Sequence, residues 1–189
     1  MQIYGLLTSI RFRLATLIAP ELGAQAMTDP LTGANNFRAF EEHLARESAA
    51  VRRGAHRLGL LMIDMNHFKA VNDTYGHEVG NVALRLVVET IKSCVRGTDV
   101  VCRYGGDEFV VLLHTPINAT GILVAAERII AALAARQIKT SKGSIGVTVS
   151  IGGAIAEDGS DVDSLVGRAD AKLFEAKKLK SDGKSHVAV

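Results

Sequence analysis

One continuous apolar segment, Leu58–Met65, constrains the fold of this chain more than any other part of its sequence. Asp64 is its only charged residue, so the segment lacks the alternation of apolar and polar residues that marks a strand with one face in water. A short apolar run of this kind is typical of a strand that is buried on both faces. The segment therefore predicts a sheet that other elements cover on each side.

Helical and strand patterns alternate along the rest of the chain. The spacing of apolar residues predicts helices near residues 37–53, 68–75, 79–95, 118–136 and 162–179, the last with Asp161 as its cap. Further strands are predicted at 100–104, 109–114 and 146–156. This order predicts one α/β (α+β) domain, in which a mixed central sheet is surrounded by helices.

The composition excludes several classes of protein. Hydrophobic residues make up 48% of the chain and charged residues 22%, which suits a folded domain and excludes wholesale disorder, a collagen-like repeat and a coiled-coil rod. The formal net charge of +2 gives no electrostatic reason to expect nucleic-acid or membrane binding. Cys94 and Cys102 lack the spacing of a zinc site, so we expect two small core residues and a cytoplasmic location.

The N-terminal residues 1–26 precede the patterned part of the chain. They are predicted to form a helical lead-in that packs on a second copy or on another partner, or alternatively a frayed terminus. Arg11 and Arg13 interrupt the apolar stretch, and no run is long enough for a transmembrane segment.

Two acidic positions are candidate metal ligands. Asp64 ends the buried segment, where its carboxylate either emerges at the sheet edge or caps the next helix. Gly105-Gly106-Asp107-Glu108 lies between two predicted strands, and its glycines would let a phosphate approach the backbone, although such a sequence is often only a turn. If these strands are neighbours, the three carboxylates form a cluster that Mg²⁺ or Mn²⁺ would neutralise. That chemistry suggests phosphoryl or nucleotidyl transfer.

Five blocks of sequence occur in one order: Asp29-Pro30-Leu31-Thr32-Gly33, Asp64-Met65-Asn66-His67-Phe68-Lys69, Asn72-Asp73-Thr74-Tyr75-Gly76-His77, Arg103-Tyr104-Gly105-Gly106-Asp107-Glu108-Phe109 and Arg168-Ala169-Asp170. Together they resemble the GGDEF family, the diguanylate cyclases, which join two GTP into cyclic di-GMP and release pyrophosphate. The resemblance covers residues 27–189 and implies a nucleotidyl-cyclase-like GGDEF fold. It also implies a two-fold homodimer, in which each 3′-oxygen attacks the α-phosphate held by the other copy.

The resemblance assigns a role to each residue that matches a family motif. Metal binding is assigned to Asp64, the Met65 carbonyl, Asp107 and Glu108. Substrate binding is assigned to Phe68, Lys69, Asn72, His77, Asn81, Gly105, Gly106, Lys177 and Lys184. Catalysis is assigned to Asp107, Glu108 and Lys69, with Asp107 promoting deprotonation of the 3′-hydroxyl. An inhibitory site for the product is assigned to Arg96, Asp99 and Arg128.

The sequence departs from the family pattern at three places. Asn81 stands where the family usually has Asp, and an amide offers guanine one acceptor and one unwanted donor, so we expect weaker selectivity for GTP and some acceptance of ATP. The phosphate-binding tail has three extra residues and ends in Lys184 rather than Arg. Ala34 and Phe37 replace the usual Leu and Arg, which is expected to alter packing near the base pocket.

Other interpretations remain open from the sequence alone. The chain could be a catalytically weak GGDEF module that senses GTP or cyclic di-GMP, or a class III nucleotide cyclase that makes a 3′,5′-cyclic monophosphate. Arg96 and Asp99 could be a helix-end arginine paired with a turn carboxylate. Lys177 and Lys184 could belong to a solvated helix face.

Overall fold

The structure is a computed structural model that describes residues 26–54, 57–114, 118–157, 162–179 and 184–189. Its helices are α1 (Phe37–Arg52), α2 (Phe68–Tyr75), α3 (His77–Cys94), α4 (Ala119–Ala134) and α5 (Leu165–Lys177). Its strands are β1 (Leu58–Met65), β2 (Val100–Arg103), β3 (Glu108–Leu113), β4 (Ile138–Thr140), β5 (Gly143–Ile145), β6 (Val149–Ala156) and β7 (His186–Ala188). The predicted cap Asp161 and residues 1–25 of the predicted lead-in lie outside the described residues.

Five strands form one sheet in the order β2-β3-β1-β6-β7. Strand β1 pairs antiparallel with both β3 and β6, β2 pairs antiparallel with β3, and β6 pairs parallel with β7. The sheet is therefore mixed, as predicted. All eight residues of β1 are buried, which confirms the prediction of a strand covered on both faces.

Two hydrophobic cores lie on opposite faces of this sheet. Leu61 and Ile63 pack with residues of α3 and α4 on one face, whereas Leu60 and Met62 pack with residues of α1 and α5 on the other. Successive side chains of a strand point to opposite faces. Asp64 therefore shares a face with Leu60 and Met62, and that face is covered by α5.

Gly152 determines how closely α5 lies on the sheet. A Cβ at this position would lie 2.1 Å from the backbone nitrogen of Leu173 and 2.2 Å from the carbonyl oxygen of Ala169. Backbone atoms of a helix cannot move aside as a flexible side chain can. The absence of a side chain lets α5 pack directly against β6, and this packing brings the C-terminal end of α5 to the edge where β1 ends.

Some elements differ from those predicted. Helix α3 begins at His77 rather than Val79, because Gly76, with φ of 86°, allows the sharp turn that separates it from α2. The β4–β5 hairpin and the three-residue strand β7 were not predicted.

Cys94 and Cys102 are buried as expected, and burial raises the pKa of the Cys102 thiol to about 12. No helix in the described ranges has the length and apolarity needed to cross a membrane.

Candidate active site

Three acidic residues meet where β1 ends and β3 begins. Asp64 and Glu108 are direct partners in the antiparallel register of these strands. The backbone N–H of Met65 donates to the Asp107 carbonyl at 3.1 Å, which ties the hairpin turn to the end of β1. The structure thus brings Asp64, Asp107 and Glu108 together. Like charges directly opposite each other on a sheet are destabilising unless something neutralises them.

The Gly105-Gly106 turn gives Glu108 room to fold back over the hairpin. The N–H groups of Tyr104 and Gly105 both donate to the Glu108 carbonyl, at 2.8 and 3.2 Å, and close the turn. A Cβ at Gly105 would lie only 2.9 Å from Oε2 of Glu108. Gly106 is exposed. A side chain at position 105 would therefore force the Glu108 carboxylate to move.

Burial and mutual repulsion make these carboxylates hard to ionise. Burial is the main cause that raises the pKa of Asp107, and the charge of Asp64 raises it further. Burial likewise raises the pKa of Glu108. The charge of Lys177 lowers this pKa, and the carboxylates of Asp64 and Asp107 raise it further. The cluster is therefore a place where an added positive charge is strongly favoured.

Lys177, at the end of α5, supplies one such positive charge. Its Nζ donates to Oδ2 of Asp64 at 2.7 Å. The Lys177 side chain is 29% exposed and that of Asp64 only 12%, so the pair is largely screened from water. The sequence predicted Lys177 as a substrate-binding residue, and the structure places it on the first acidic residue of the cluster.

The donor set fits a divalent cation that arrives with its own ligands. The candidates are carboxylate oxygens and the Met65 carbonyl, which are the hard oxygen ligands that Mg²⁺ and Mn²⁺ prefer. Within the described ranges, no three His, Cys, Asp or Glu side chains form a ready-made metal cage. Mg²⁺ in nucleotide sites needs only one or two carboxylates, because water and phosphates complete its octahedron. The residues present fit that kind of site.

Helix α2 begins beside the cluster with an unusual backbone conformation. His67, at its N-cap, has φ of 56° and is the only non-glycine residue with positive φ in the described part of the chain. The His67 side chain makes no capping hydrogen bond at this helix start, where the N–H groups of Phe68 and Lys69 lie. Phe68 is half-buried and Lys69 is exposed. An uncapped helix N-terminus suits a bound anion such as a phosphate.

Asn72 presents an acceptor that has no partner among the residues that the structure describes. Its Oδ1 is buried and accepts no hydrogen bond in the structure. A Cβ at Gly80 would lie 1.9 Å from this oxygen, so the carboxamide occupies space that only a glycine leaves free. Asn81 follows, half-buried, and His77 is exposed at the first position of α3. A buried acceptor without a donor is a rare feature and marks a place for a ligand N–H.

Asn66 ties the C-terminal tail to the loop after β1. Ser150 Oγ donates to Oδ1 of Asn66 at 2.8 Å, and Nδ2 of Asn66 donates to the Lys184 carbonyl at 3.2 Å. Asn66 and Ser150 are both buried. Sequence reasoning missed this role of Asn66, although a polar residue directly after a buried strand is a usable signal. The network places the predicted site residue Lys184 next to the Asp64–Met65 end of β1.

Arg103 joins the hairpin turn to the turn that begins at Asp29. Its Nη1 contacts both carboxylate oxygens of Asp29, at 3.2 and 3.1 Å, while Nε and Nη2 donate to the Gly106 carbonyl at 3.2 and 2.6 Å. Thr32 donates two further hydrogen bonds to Asp29. Burial would raise the pKa of Asp29, but the Thr32 hydrogen bonds and the Arg103 charge together lower it. We call this Asp29–Arg103–Gly106 contact the turn clamp.

Phe37 and Ala34 occupy the places where the sequence departs from the family pattern. Ala34 is fully buried. The Phe37 ring packs edge-on against Tyr104, with ring centroids 5.0 Å apart. Because Tyr104 directly precedes the Gly105-Gly106 turn, this aromatic contact supports the hairpin from the α1 side.

The predicted inhibitory residues divide into two groups. Arg96 and Arg128 are exposed, and the Arg128 carbonyl lies 3.7 Å from Sγ of Cys94, at the end of α3. The Asp99 side chain is only 5% exposed. Its two oxygens accept the N–H groups of Arg96 and His114 at 2.8 and 3.0 Å. Asp99 thus accepts backbone N–H groups, whereas the Arg96 and Arg128 side chains lie on the surface.

Comparison with known proteins shows which family the chain is similar to. A family model described as "Diguanylate cyclase, GGDEF domain" matches residues 26–183. The diguanylate cyclase DgcS of Shewanella oneidensis is 36% identical over 157 residues, which cover 83% of this chain and 51% of that protein. Diguanylate cyclase A of Treponema denticola is 37% identical over 154 residues, covering 81% of this chain and 40% of that protein. The chain thus spans about half or less of these relatives.

Solved structures give the same answer at the level of the fold. The GGDEF domain of DgcB from Caulobacter crescentus, determined in complex with c-di-GMP, superposes with a TM-score of 0.79 at 31% identity. The match covers 87% of this chain and 95% of that domain. The mixed sheet with its surrounding helices is therefore the cyclase-like GGDEF fold. By its sequence, its fold and its hairpin turn, the chain belongs to the GGDEF domain family of diguanylate cyclases.

Proposed function

We propose that this chain is a diguanylate cyclase, which condenses two GTP into cyclic di-GMP and releases two pyrophosphates. The observation that carries the proposal is the cross-strand pairing of Asp64 with Glu108, beside Asp107 and an uncapped helix start. The named activity of its relatives supports it. Clustered carboxylates next to an anion-binding backbone are what a metal–triphosphate complex needs.

Each group at the site has a role in this reaction. Asp64, the Met65 carbonyl, Asp107 and Glu108 would hold Mg²⁺ or Mn²⁺, which when bound neutralises charge on the phosphates. The backbone N–H groups of Phe68 and Lys69 and the ammonium groups of Lys69, Lys177 and Lys184 would orient the triphosphate. Asn72 and Asn81 would bind the base, and His77 would support their loop. Asp107 would promote deprotonation of the 3′-hydroxyl.

A single site of this kind holds one GTP, whereas the product joins two. We propose that two copies face each other across a two-fold axis, so that each 3′-oxygen lies against the α-phosphate held by its partner. Most of the rate enhancement then comes from positioning, which can contribute about 7–11 kcal/mol. A monomeric chain is accordingly expected to be nearly inactive.

Arg96 and Arg128 are proposed to bind the product and inhibit the enzyme. Both side chains are exposed near the end of α3, and arginine forks suit guanine edges and phosphates. Asp99 would act by ordering the loop through its two backbone hydrogen bonds.

Identification of the products tests the proposed function. The purified chain is incubated with GTP and Mg²⁺, and the nucleotides are separated by chromatography. Cyclic di-GMP with two equivalents of pyrophosphate is the expected result. Nucleotide binding without turnover would instead support the sensor interpretation, which Asn81 favours because an amide is a poor partner for guanine. Cyclic GMP would indicate a class III cyclase.

Gly80→Ala is expected to weaken GTP binding about tenfold without unfolding the protein. The added methyl would displace the Asn72 carboxamide, whose Oδ1 lies 1.9 Å from the Cβ position, and would remove a base contact worth about 1–2 kcal/mol. Titration with a fluorescent GTP analogue measures the loss. In an Asn72→Ala background the same change should have little further effect, since the displaced group is already absent. Equal losses in both backgrounds would contradict this explanation.

Asn81→Asp is expected to raise the preference for GTP over ATP by about tenfold. A carboxylate accepts from both N1–H and the N2 amino group of guanine, whereas the amide turns a donor toward one of them. Competition between the two nucleotides for the binding site measures the preference. An unchanged ratio in the variant would show that Asn81 does not read the base.

A further inference from the structure

We propose that Lys177 competes with the divalent cation for Asp64, so that metal binds well only when a triphosphate draws the lysine away. The inference rests on the proposed function, because it assumes that the Asp64 cluster is the metal site. It assigns Lys177 a second action beyond contact with phosphate: the lysine keeps the site closed to metal in the absence of nucleotide.

The first support is the contact itself. The Lys177 ammonium lies 2.7 Å from Oδ2 of Asp64, which is a direct, charge-assisted hydrogen bond. Asp64 is 12% exposed, so little water is available to replace this partner. A cation that coordinates Asp64 would lie within a few ångströms of the ammonium. Two positive charges this close in a partly buried site repel strongly, so one must leave.

The second support is the position of Lys177 relative to the other carboxylates. Asp64, which the ammonium contacts, is the cross-strand partner of Glu108, and the N–H of the next residue, Met65, donates to the Asp107 carbonyl, so Lys177 lies beside all three acidic residues. One lysine thus partly neutralises the whole cluster in the nucleotide-free protein. A metal ion would perform the same neutralisation with twice the charge, and it therefore competes for the same position.

The third support is the direction in which Lys177 can be displaced. It is in the last turn of α5, beyond the part of the helix that Gly152 holds against β6. A triphosphate bound at the uncapped start of α2 would offer new anionic oxygens to a flexible four-carbon side chain. Transfer of the ammonium from Asp64 to phosphate would free the carboxylate for metal. Metal and nucleotide binding would then be coupled, and by linkage the coupling is reciprocal.

The test measures Mn²⁺ binding to the nucleotide-free chain, from the loss of the EPR signal of free aqueous Mn²⁺. Lys177→Met is expected to bind Mn²⁺ about tenfold more tightly than the unmodified chain. Lys178→Met is the matched control, because Lys178 is the next residue, carries the same charge and lies over the Phe174 ring instead of contacting Asp64. Lys177→Arg keeps the charge and should stay close to the unmodified chain. If Lys177→Met does not fold, as judged by circular dichroism, Lys177→Gln replaces it.

Unchanged or weaker Mn²⁺ binding in a folded Lys177→Met or Lys177→Gln protein overturns the inference. Equal tightening in Lys178→Met also overturns it, since the effect would then come from net charge alone. The proposed function is judged separately, on the same preparation, by product chromatography. If the unmodified chain makes cyclic di-GMP but its Lys177 variants bind metal no better, only this inference is wrong. If the chain neither turns over GTP nor binds Mn²⁺, both this inference and the proposed function are wrong.

Discussion

Asp107→Asn is expected to lower cyclic di-GMP synthesis about a thousandfold while raising the thermal stability of the nucleotide-free protein at neutral pH. The loss of turnover follows because the amide is a poor metal ligand and cannot accept the 3′-hydroxyl proton, and such effects amount to several kcal/mol. The gain in stability follows because burial and the charge of Asp64 make ionised Asp107 unfavourable in the folded chain. A residue that served only the fold would not raise the thermal stability when it is substituted.

Asp107 and Glu108 also make the stability of the folded protein depend on pH. The pKa of Asp107 and that of Glu108 lie above their ordinary values of 3.8 and 4.5 in the folded protein. The folded state then holds protons that the unfolded state has released, so these two groups reduce stability as pH rises from the ordinary to the raised pKa values. Asp107→Asn should flatten this decline, and thermal unfolding across that pH range measures it.

The control for Asp107→Asn is Asp163→Asn. Asp163 is exposed and pairs with Arg52, the last residue of α1, so its neutralisation changes the net charge equally without touching the site. It should leave turnover unchanged. Destabilisation by Asp107→Asn would mean that Asp107 is a structural residue. Full activity in that variant would mean that Asp107 has no role in turnover.

Arg103→Met is expected to lower stability by about 2–3 kcal/mol and turnover by ten- to a hundredfold. The substitution removes the turn clamp and leaves the largely buried Asp29 carboxylate without its ion-pair partner. It also releases the Gly106 carbonyl, so the hairpin that carries Asp107 is no longer fixed against the turn at Asp29. Displacement of a catalytic group by about 1 Å can reduce the rate a hundredfold.

Chemical denaturation and steady-state turnover measure the two losses for Arg103→Met. Arg38→Met is the matched control, because Arg38 forms an exposed ion pair with Glu42 on α1. This substitution should lower the free energy of unfolding by less than about 0.5 kcal/mol. A variant at Arg103 that is as stable and as active as the Arg38 variant would show that the clamp does not hold the hairpin.

The central part of the fold could be predicted because its signal is local. The apolar run ending in Asp64 predicts a doubly buried strand, and the Gly105-Gly106 turn predicts a hairpin. What these patterns do not contain is the register that sets Asp64 opposite Glu108. The resemblance to a known family, rather than periodicity, led to the expectation that these carboxylates meet.

Features that depend on distant pairings could not be predicted. Lys177 and Asp64 are 113 positions apart in the sequence, and Asn66 is 118 positions from Lys184. Strand β7 has only three residues, which is too short for a recognisable sequence pattern. It forms because the C-terminal tail returns to pair with β6. Asp99 also makes a distant contact, because one of its oxygens accepts the nearby Arg96 N–H and the other accepts the N–H of His114, which is 15 positions away.

A structure of the chain with Mn²⁺ and a non-hydrolysable GTP analogue would show whether Asp64 and Asp107 share one cation, because the anomalous signal locates the ion. We expect one metal position whose ligands include oxygens of Asp64 and Asp107 and the Met65 carbonyl, together with phosphate oxygens. The Lys177 ammonium should then lie on phosphate rather than on Asp64. An ion held by phosphates alone, with Asp64 still paired to Lys177, would contradict the account.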